Sequence, residues 1–301
     1  MSLPLVTPPF LKKGDTIAIA ATARKVSQEE IDFAIQEIQK RGYKVLLASN
    51  IFESFNQFAG TDEARQRGLQ ELLDRPDINA IFIARGGYGT IRILDSLDFT
   101  LFKKNPKWIC GFSDVTALHS YLFQLGFKSI HSTMPILFNQ SEMAVNSLFD
   151  LLEGKNIYYS LNSHPLNREG CCEGLLVGGN LSVLYAISGS SSQIDYRNKI
   201  LFIEDLDEYL YHIDRMIMHF KRAGFLSQLK GLIVGGMTDM KDNTIPFGKT
   251  VEEIIYDAVK MYDYPVCFNF PSGHIKDNYA FIHGEKIRLV VKKDKISIEY
   301  Y

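Results

Sequence analysis

The first 125 residues alternate between short apolar runs and amphipathic stretches. Thr16–Ala21 (TIAIAA), Lys44–Ala48, Ala80–Ala84 (AIFIA) and Trp108–Gly111 are the short runs, and they read as strands buried on both faces of a parallel sheet. Between them the apolar positions fall at helical spacing. Ile31, Ile35 and Ile38 share one helical face, Ser27 and Glu30 have capping-box spacing, and Gly42 can close the helix. Thr61 can cap a second helix through Leu69, Leu72 and Leu73 that stops before Pro76, and Val115–Leu125 gives a third. Strand–helix alternation predicts a parallel sheet covered on both faces.

From about Ser141 to Gly170 this rhythm is lost, which marks a boundary. Beyond it, Leu181–Ile187 reads as helix, Lys199–Ile203 as strand and Asp207–Arg222 as a long helix. Gly231–Val234 and Pro265–Phe268 read as strands, with Thr250–Tyr262 as the helix between them. Lys286–Tyr301 alternates apolar and polar on either side of Lys293-Asp294, the pattern of an antiparallel hairpin. The expected division is residues 1–145 as one domain, 146–170 as a linker region and 171–301 as a second domain. A chain of 301 residues with 46% hydrophobic and 23% charged positions suits two ordinary globular cores.

Charge and cysteines narrow the function classes. A formal charge of −2 with scattered Lys and Arg supplies no basic patch of the kind that nucleic acid or an anionic membrane demands, so neither is an expected partner. Cys110, Cys171, Cys172 and Cys267 form no CxxC pair, which removes zinc ribbons and thioredoxin-like motifs and suits reduced packing thiols. The start, MSLPLVTPPFLKKGD, lacks a secretory pattern, and no window approaches about 18 apolar residues. The expected location is the cytoplasm.

Parallel α/β sheets gather reactive groups beyond the carboxyl ends of their strands. Four such places stand out. Arg85-Gly86-Gly87-Tyr88-Gly89 follows AIFIA, and its uncovered backbone N–H groups can meet an anion or a developing oxyanion. It lacks the Gly-Lys-Ser/Thr of a P-loop. Ser113, in WICGFSDVTALHSYL, sits at a strand-to-helix junction like a nucleophile elbow, although Val115 stands where the second glycine of G-x-S-x-G would be. An ordinary N-cap gives the same local text. Glu204-Asp205 ends KILFI, where a carboxylate can orient a histidine or simply begin an acidic first turn. His274 ends PSGH, a loop with a glycine beside the histidine. His212 and His219 lack the acidic context of a zinc site, and His119 reads as packing. Together the four places supply a nucleophile, a base, an orienting acid and an anion-binding loop.

These residues stand in a recognisable order. RGGYGT, GFSDVTALH, VGGNLSVL, LFIEDLDEYLYHIDRM and PSGH-x3-N run through nearly the whole chain, which resembles the LD-carboxypeptidases, serine peptidases that also include the microcin C immunity proteins. The resemblance implies an α/β fold with an N-terminal flavodoxin-like parallel-sheet domain, a C-terminal β-rich α/β domain and an active site in the interdomain cleft. It implies Ser113 as nucleophile, His274 as general base and Glu204 as its orienting carboxylate. It also implies an oxyanion hole from N–H groups of Gly86, Gly87 and Asp114. Arg85 is a candidate for binding the substrate carboxylate, and Asn180 for facing the cleft, though Asn180 also suits a helix cap. No metal or cofactor is required, and a homodimer is implied.

The implied reaction releases a terminal D-alanine from peptidoglycan tetrapeptides during cell-wall recycling. The alternative is an immunity-type hydrolase of peptidyl or aminoacyl nucleotides with the same triad. Those relatives carry a stacking aromatic in an added loop, whereas Trp108 lies in an expected strand. A non-catalytic ligand-binding protein is a third reading, in which an intact Ser-Glu-His set has no use. HSTMP (His131–Pro135) and NYAFIHG after His274 depart from the glycine-proline and leucine-proline pairs common in the family, and both bear on the substrate pocket.

Overall fold

The structure, a computed structural model, describes residues 5–300. The chain divides into two compact units. One holds the chain up to Lys155 together with Lys276–Ile282, and the other holds Asn156–Ile275 and the chain from His283 onward.

The first unit starts with strand β1 (Thr16–Ala20), helix α1 (Gln28–Lys40), β2 (Lys44–Leu47), α2 (Asp62–Asp74) and β3 (Ala80–Ile83). It continues with the short helices α3 (Thr90–Ile93) and α4 (Thr100–Lys104), β4 (Trp108–Gly111), α5 (Thr116–Gln124), β5 (Ser129–His131) and α6 (Glu142–Leu152). The strands lie in the order β2-β1-β3-β4-β5, and every pair among them is parallel. That is the flavodoxin-like order, in which the order of successive strands reverses between β1 and β3 while all strands stay parallel. The sheet interior is apolar: Ile17, Ile19, Ile81, Phe82, Ile83 and Ile109 are buried. Ser27 and Glu30 form a complete capping box on α1, whose Ile31, Ala34 and Ile38 face the core.

The fading rhythm after Ser141 is not an absence of structure. Ser141 caps α6, which buries Val145, Leu148, Phe149 and Leu152. The alternation breaks because no strand of this sheet follows α6 in sequence. The next strand, on the far side of β5, is Phe281–His283, which arrives from the far end of the chain. Its lead-in is fixed to α6, where Ser141 Oγ donates to Asp277 Oδ1 (2.7 Å) and Ala280 N donates to Ser147 Oγ (2.9 Å).

The second unit contains β6 (Tyr158–Asn162), β7 (Gly170–Asn180), α7 (Leu181–Ala186), β8 (Lys199–Leu206), α8 (Leu210–Arg222), β9 (Gly231–Thr238), α9 (Val251–Val259) and β10 (Val266–Cys267). Counting Phe281–His283 as β11, the hairpin strands are β12 (Lys286–Val291) and β13 (Lys295–Tyr300). The sheet order is β10-β9-β8-β7-β12-β13-β6. Its first four strands are parallel and the remaining pairs antiparallel, so one sheet joins an α/β half to a meander-like half. The antiparallel pairing of β12 with β13 is the hairpin that the alternating text predicts. Helix α8 begins at Leu210 rather than Asp207, since Asp207 has φ of 63°, outside the helical region. Among the described residues no helix is long and apolar enough to cross a membrane.

Candidate active site

The candidate residues form two clusters, one in each unit. In the first, β4 ends at Gly111, a single 3₁₀ turn spans Ser113–Val115, and α5 follows at once. Ser113 is held at φ of 64°, the left-handed region that a residue with a Cβ enters at a cost of about 1–2 kcal/mol. A strained serine between a strand and a helix is the geometry of a nucleophile elbow, even without the second glycine of the usual motif. The strain is held by buried bonds behind it. His119 on α5 bonds to Gly111 O through Nε2 (2.9 Å), which makes Nε2 the protonated nitrogen, so Nδ1 accepts from Ser129 Oγ (2.8 Å). Burial lowers the pKa of His119 to about 4, so this imidazole stays neutral and structural.

The glycine turn lies against the serine. A Cβ on Gly86 would stand 3.1 Å from Ser113 Cβ and 3.3 Å from its Oγ, so any side chain there would crowd the hydroxyl. Asp114 ties the two segments together. Its buried carboxylate accepts from Thr90 N (2.8 Å), at the end of the glycine turn, while its own backbone N–H belongs to the turn of Ser113. Burial raises the pKa of Asp114, and the Thr90 bonds and the charge of Arg65 oppose that. Arg65, fully buried on α2, donates to Thr22 O (2.6 Å) and Gly89 O (3.0 Å). The sequence gives no hint of Arg65, because an arginine on a helix normally reads as solvated.

In the second cluster, Glu204 occupies the carboxyl end of β8 and is fully buried. Its Oε2 lies 2.6 Å from His274 Nδ1 and also accepts from His274 N (3.1 Å). With Nδ1–H committed to the carboxylate, Nε2 is the nitrogen that carries the lone pair of the neutral imidazole. Burial pushes the His274 pKa down, but the bond to Glu204 and the charges of Glu204 and Asp205 outweigh it, leaving the pKa above its ordinary value. The loop bearing His274 is lashed to β9. Phe270 N donates to Val234 O (3.0 Å), Gly236 N to Ser272 O (2.9 Å), and Thr238 Oγ1 to His274 O (2.7 Å). Opposite Glu204 the β8–β9 register shifts between Ile203 and Asp205, which lets the strand end turn toward this loop.

Matches with known proteins agree along the whole chain. The family model described as the LD-carboxypeptidase N-terminal domain matches residues 17–132, and that of the LD-carboxypeptidase C-terminal domain matches residues 173–289. A Bacillus subtilis (strain 168) protein named "Probable murein peptide carboxypeptidase" is 31% identical over 97% of this chain and 94% of its own length. The chain belongs to the LD-carboxypeptidase family. The murein tetrapeptide carboxypeptidase of Pseudomonas aeruginosa is 26% identical over 89% of this chain and 91% of its own length. Among solved structures, the muramoyltetrapeptide carboxypeptidase from Oxalobacter formigenes superposes with a TM-score of 0.87 at 28% identity, covering 95% of this chain and 98% of that one. The microcin C7 self immunity protein MccF in its wild-type apo state superposes with a TM-score of 0.88 at 23% identity over 99% of both chains, a shared fold.

Two candidates of this family member are already engaged within the protein. Arg85 Nη1 lies 3.0 Å from Glu30 Oε1, so a neighbouring carboxylate already balances its charge. Asn180 caps α7: its Oδ1 accepts from Val183 N (3.2 Å) and Ser182 Oγ (2.7 Å), and its Nδ2 donates to Asp205 Oδ1 (2.9 Å). Asp205 also accepts from Ser182 N (2.9 Å). Burial and the adjacent charge of Glu204 raise the pKa of Asp205 to about 7.

Gly273 leaves no room for a side chain beside Glu204. It has φ of 106°, and a Cβ there would meet Glu204 Cβ, Cγ and Oε2 at 2.7 Å. Gly273→Ala is expected to push the carboxylate off His274, to destabilise the fold by about 1–3 kcal/mol and to lower kcat far more than KM. Thermal melting and steady-state kinetics on the same preparation check this, and a variant with unchanged kcat would refute it.

Proposed function

We propose that this LD-carboxypeptidase family member is a serine carboxypeptidase that releases the terminal D-alanine of peptidoglycan tetrapeptides by cleaving the amide that follows an L-configured centre. The observation that carries the reading is Ser113, strained at the strand-to-helix turn with the glycine turn packed against its hydroxyl. In the proposed reaction Ser113 Oγ attacks the scissile carbonyl and its proton passes to His274 Nε2. Glu204 holds the imidazole tautomer and stabilises the imidazolium. Backbone N–H groups of Gly86, Gly87 and Asp114 receive the oxyanion, and each such donor contributes about 10²–10³ in rate. His274 returns the proton to the leaving amine, the C–N bond breaks, and D-alanine departs. Water, deprotonated by the same imidazole, then hydrolyses the acyl-enzyme.

The names of the relatives support a murein peptide as substrate. The immunity-type alternative gains nothing from Trp108, which is fully buried in β4 with its ring N–H donated to Pro9 O (2.9 Å). Mass spectrometry of L-Ala-D-Glu-meso-diaminopimelate-D-Ala incubated with the purified protein tests the reading. Loss of one alanine is the expected result. An intact tetrapeptide, alongside hydrolysis of an aminoacyl nucleotide, would replace it with the alternative.

A further inference from the structure

A carboxypeptidase must recognise a free terminal carboxylate very near the bond it breaks. The scissile carbonyl carbon and the terminal carboxylate carbon are three bonds apart, under about 4 Å. The cation that binds the carboxylate must therefore stand beside the oxyanion turn. Most cations around that turn are committed elsewhere. Arg85 pairs with Glu30, Arg65 and Arg92 both pair with Asp62, and Lys25 donates to Ser54 Oγ (3.2 Å).

Arg24 is not committed. It is exposed, and its guanidinium makes no ion pair among the described residues. Its side chain lies across Gly87: a Cβ there would be 2.6 Å from Arg24 Cδ, 2.7 Å from Cγ and 3.3 Å from Nε. The neighbouring Gly86 faces Ser113, so two consecutive glycines separate the hydroxyl from this guanidinium stem. The backbone of Arg24 is well anchored. Ala59 N donates to Ala23 O (3.0 Å), Lys25 N to Gln57 O (3.0 Å), and Arg24 bridges to Phe58. Arg24 also follows β1 while the glycine turn follows β3. These are the two strands that flank the reversal point, where open α/β sheets bind their ligands.

Resting on the carboxypeptidase reading above, we infer that Arg24 is the specificity-determining residue that binds the terminal carboxylate of the substrate, with its planar fork offering two parallel N–H···O bonds. The test compares two substrates, the tetrapeptide acid and the same tetrapeptide with a C-terminal carboxamide, in wild type, Arg24→Gln, Arg24→Lys and Lys25→Gln. The wild type prefers the acid. Arg24→Gln raises KM for the acid about 10–100-fold, as expected for loss of a charge-assisted pair, and leaves KM for the amide unchanged. Arg24→Lys recovers part of the preference, because it restores the charge without the fork, and Lys25→Gln keeps all of it. The rate at which a small fluorophosphonate labels Ser113 stays the same in every variant, which separates lost recognition from a damaged nucleophile. Cleavage by Arg24→Gln with the acid preference intact would overturn the assignment alone. Failure of the wild type to cleave either substrate would overturn the substrate reading and this assignment with it.

Discussion

Ser113→Ala should lose about 10⁴-fold or more in kcat, and Ser113→Gly should be equally inactive yet the more stable of the two. The first effect follows from the chemistry: without the hydroxyl no acyl-enzyme forms, and only binding and the oxyanion donors remain. The second follows from the backbone. At φ of 64° alanine carries the same Cβ penalty as serine, whereas glycine carries none, so the glycine variant should gain roughly 1 kcal/mol over the alanine variant. Single-turnover mass spectrometry and urea melts of the two variants read both quantities. Near wild-type turnover in Ser113→Ala would remove the nucleophile assignment. Equal stabilities of the two variants would remove the strain.

Glu204→Gln should lower kcat by about 10³–10⁴-fold and move the pH profile downward. In the proposed reaction His274 must be neutral to accept the serine proton, and its pKa lies above the ordinary imidazole value. In the wild type, kcat/KM therefore rises with pH through a midpoint above about 6.5. Without the carboxylate the dominant remaining influence is burial, which lowers the pKa, so the midpoint should fall. A midpoint unchanged in Glu204→Gln would show that another group titrates.

The same pair contributes to stability with a definite sign. The contribution of protonated His274 beside Glu204 is fully present below the unfolded pKa, about 6.5, and is lost as pH rises through the higher folded value. Asp205 acts in the same direction over a lower window. Its folded pKa of about 7 exceeds the unfolded value near 3.9, so its contribution is largest below about pH 4 and is lost as pH rises toward 7. Glu204→Gln should flatten the upper part of this slope, which thermal melts across pH 4–9 would display.

Local chemistry explains which features the sequence reveals. Ser27 and Glu30 cap α1 through neighbours three residues apart, and TIAIA becomes β1 because its apolar run suits only a strand buried on both faces. The strand-to-helix junction at Ser113 and the strand-end position of Glu204 are legible for the same reason. The positive φ of Ser113 is not, since nothing in GFSDV demands it without Gly86 and His119 packed around it. The engagement of Arg85 joins it to Glu30, 55 positions away, and no spacing rule reaches that far. β7 escapes notice because GCCEGLLVGGN is glycine-rich text. It forms an eleven-residue strand because β8 and β12 pair with it on both sides. The strand Phe281–His283 is apolar enough to be recognised as buried, but three residues carry no information about which sheet receives them.

That strand also constrains how the protein can be made. The sheet carrying Ser113 takes its outermost strand from Phe281–His283, so the nascent chain cannot complete its first unit until nearly all of the second has left the ribosome. Until then the outer side of β5 presents unpaired N–H and C=O groups, the surface on which strands of other chains add. His274 emerges only a few residues ahead of the segment that closes this edge. Synthesis therefore delivers His274 and the missing strand together, and a chain stopped between the two units holds Ser113 on an unfinished sheet.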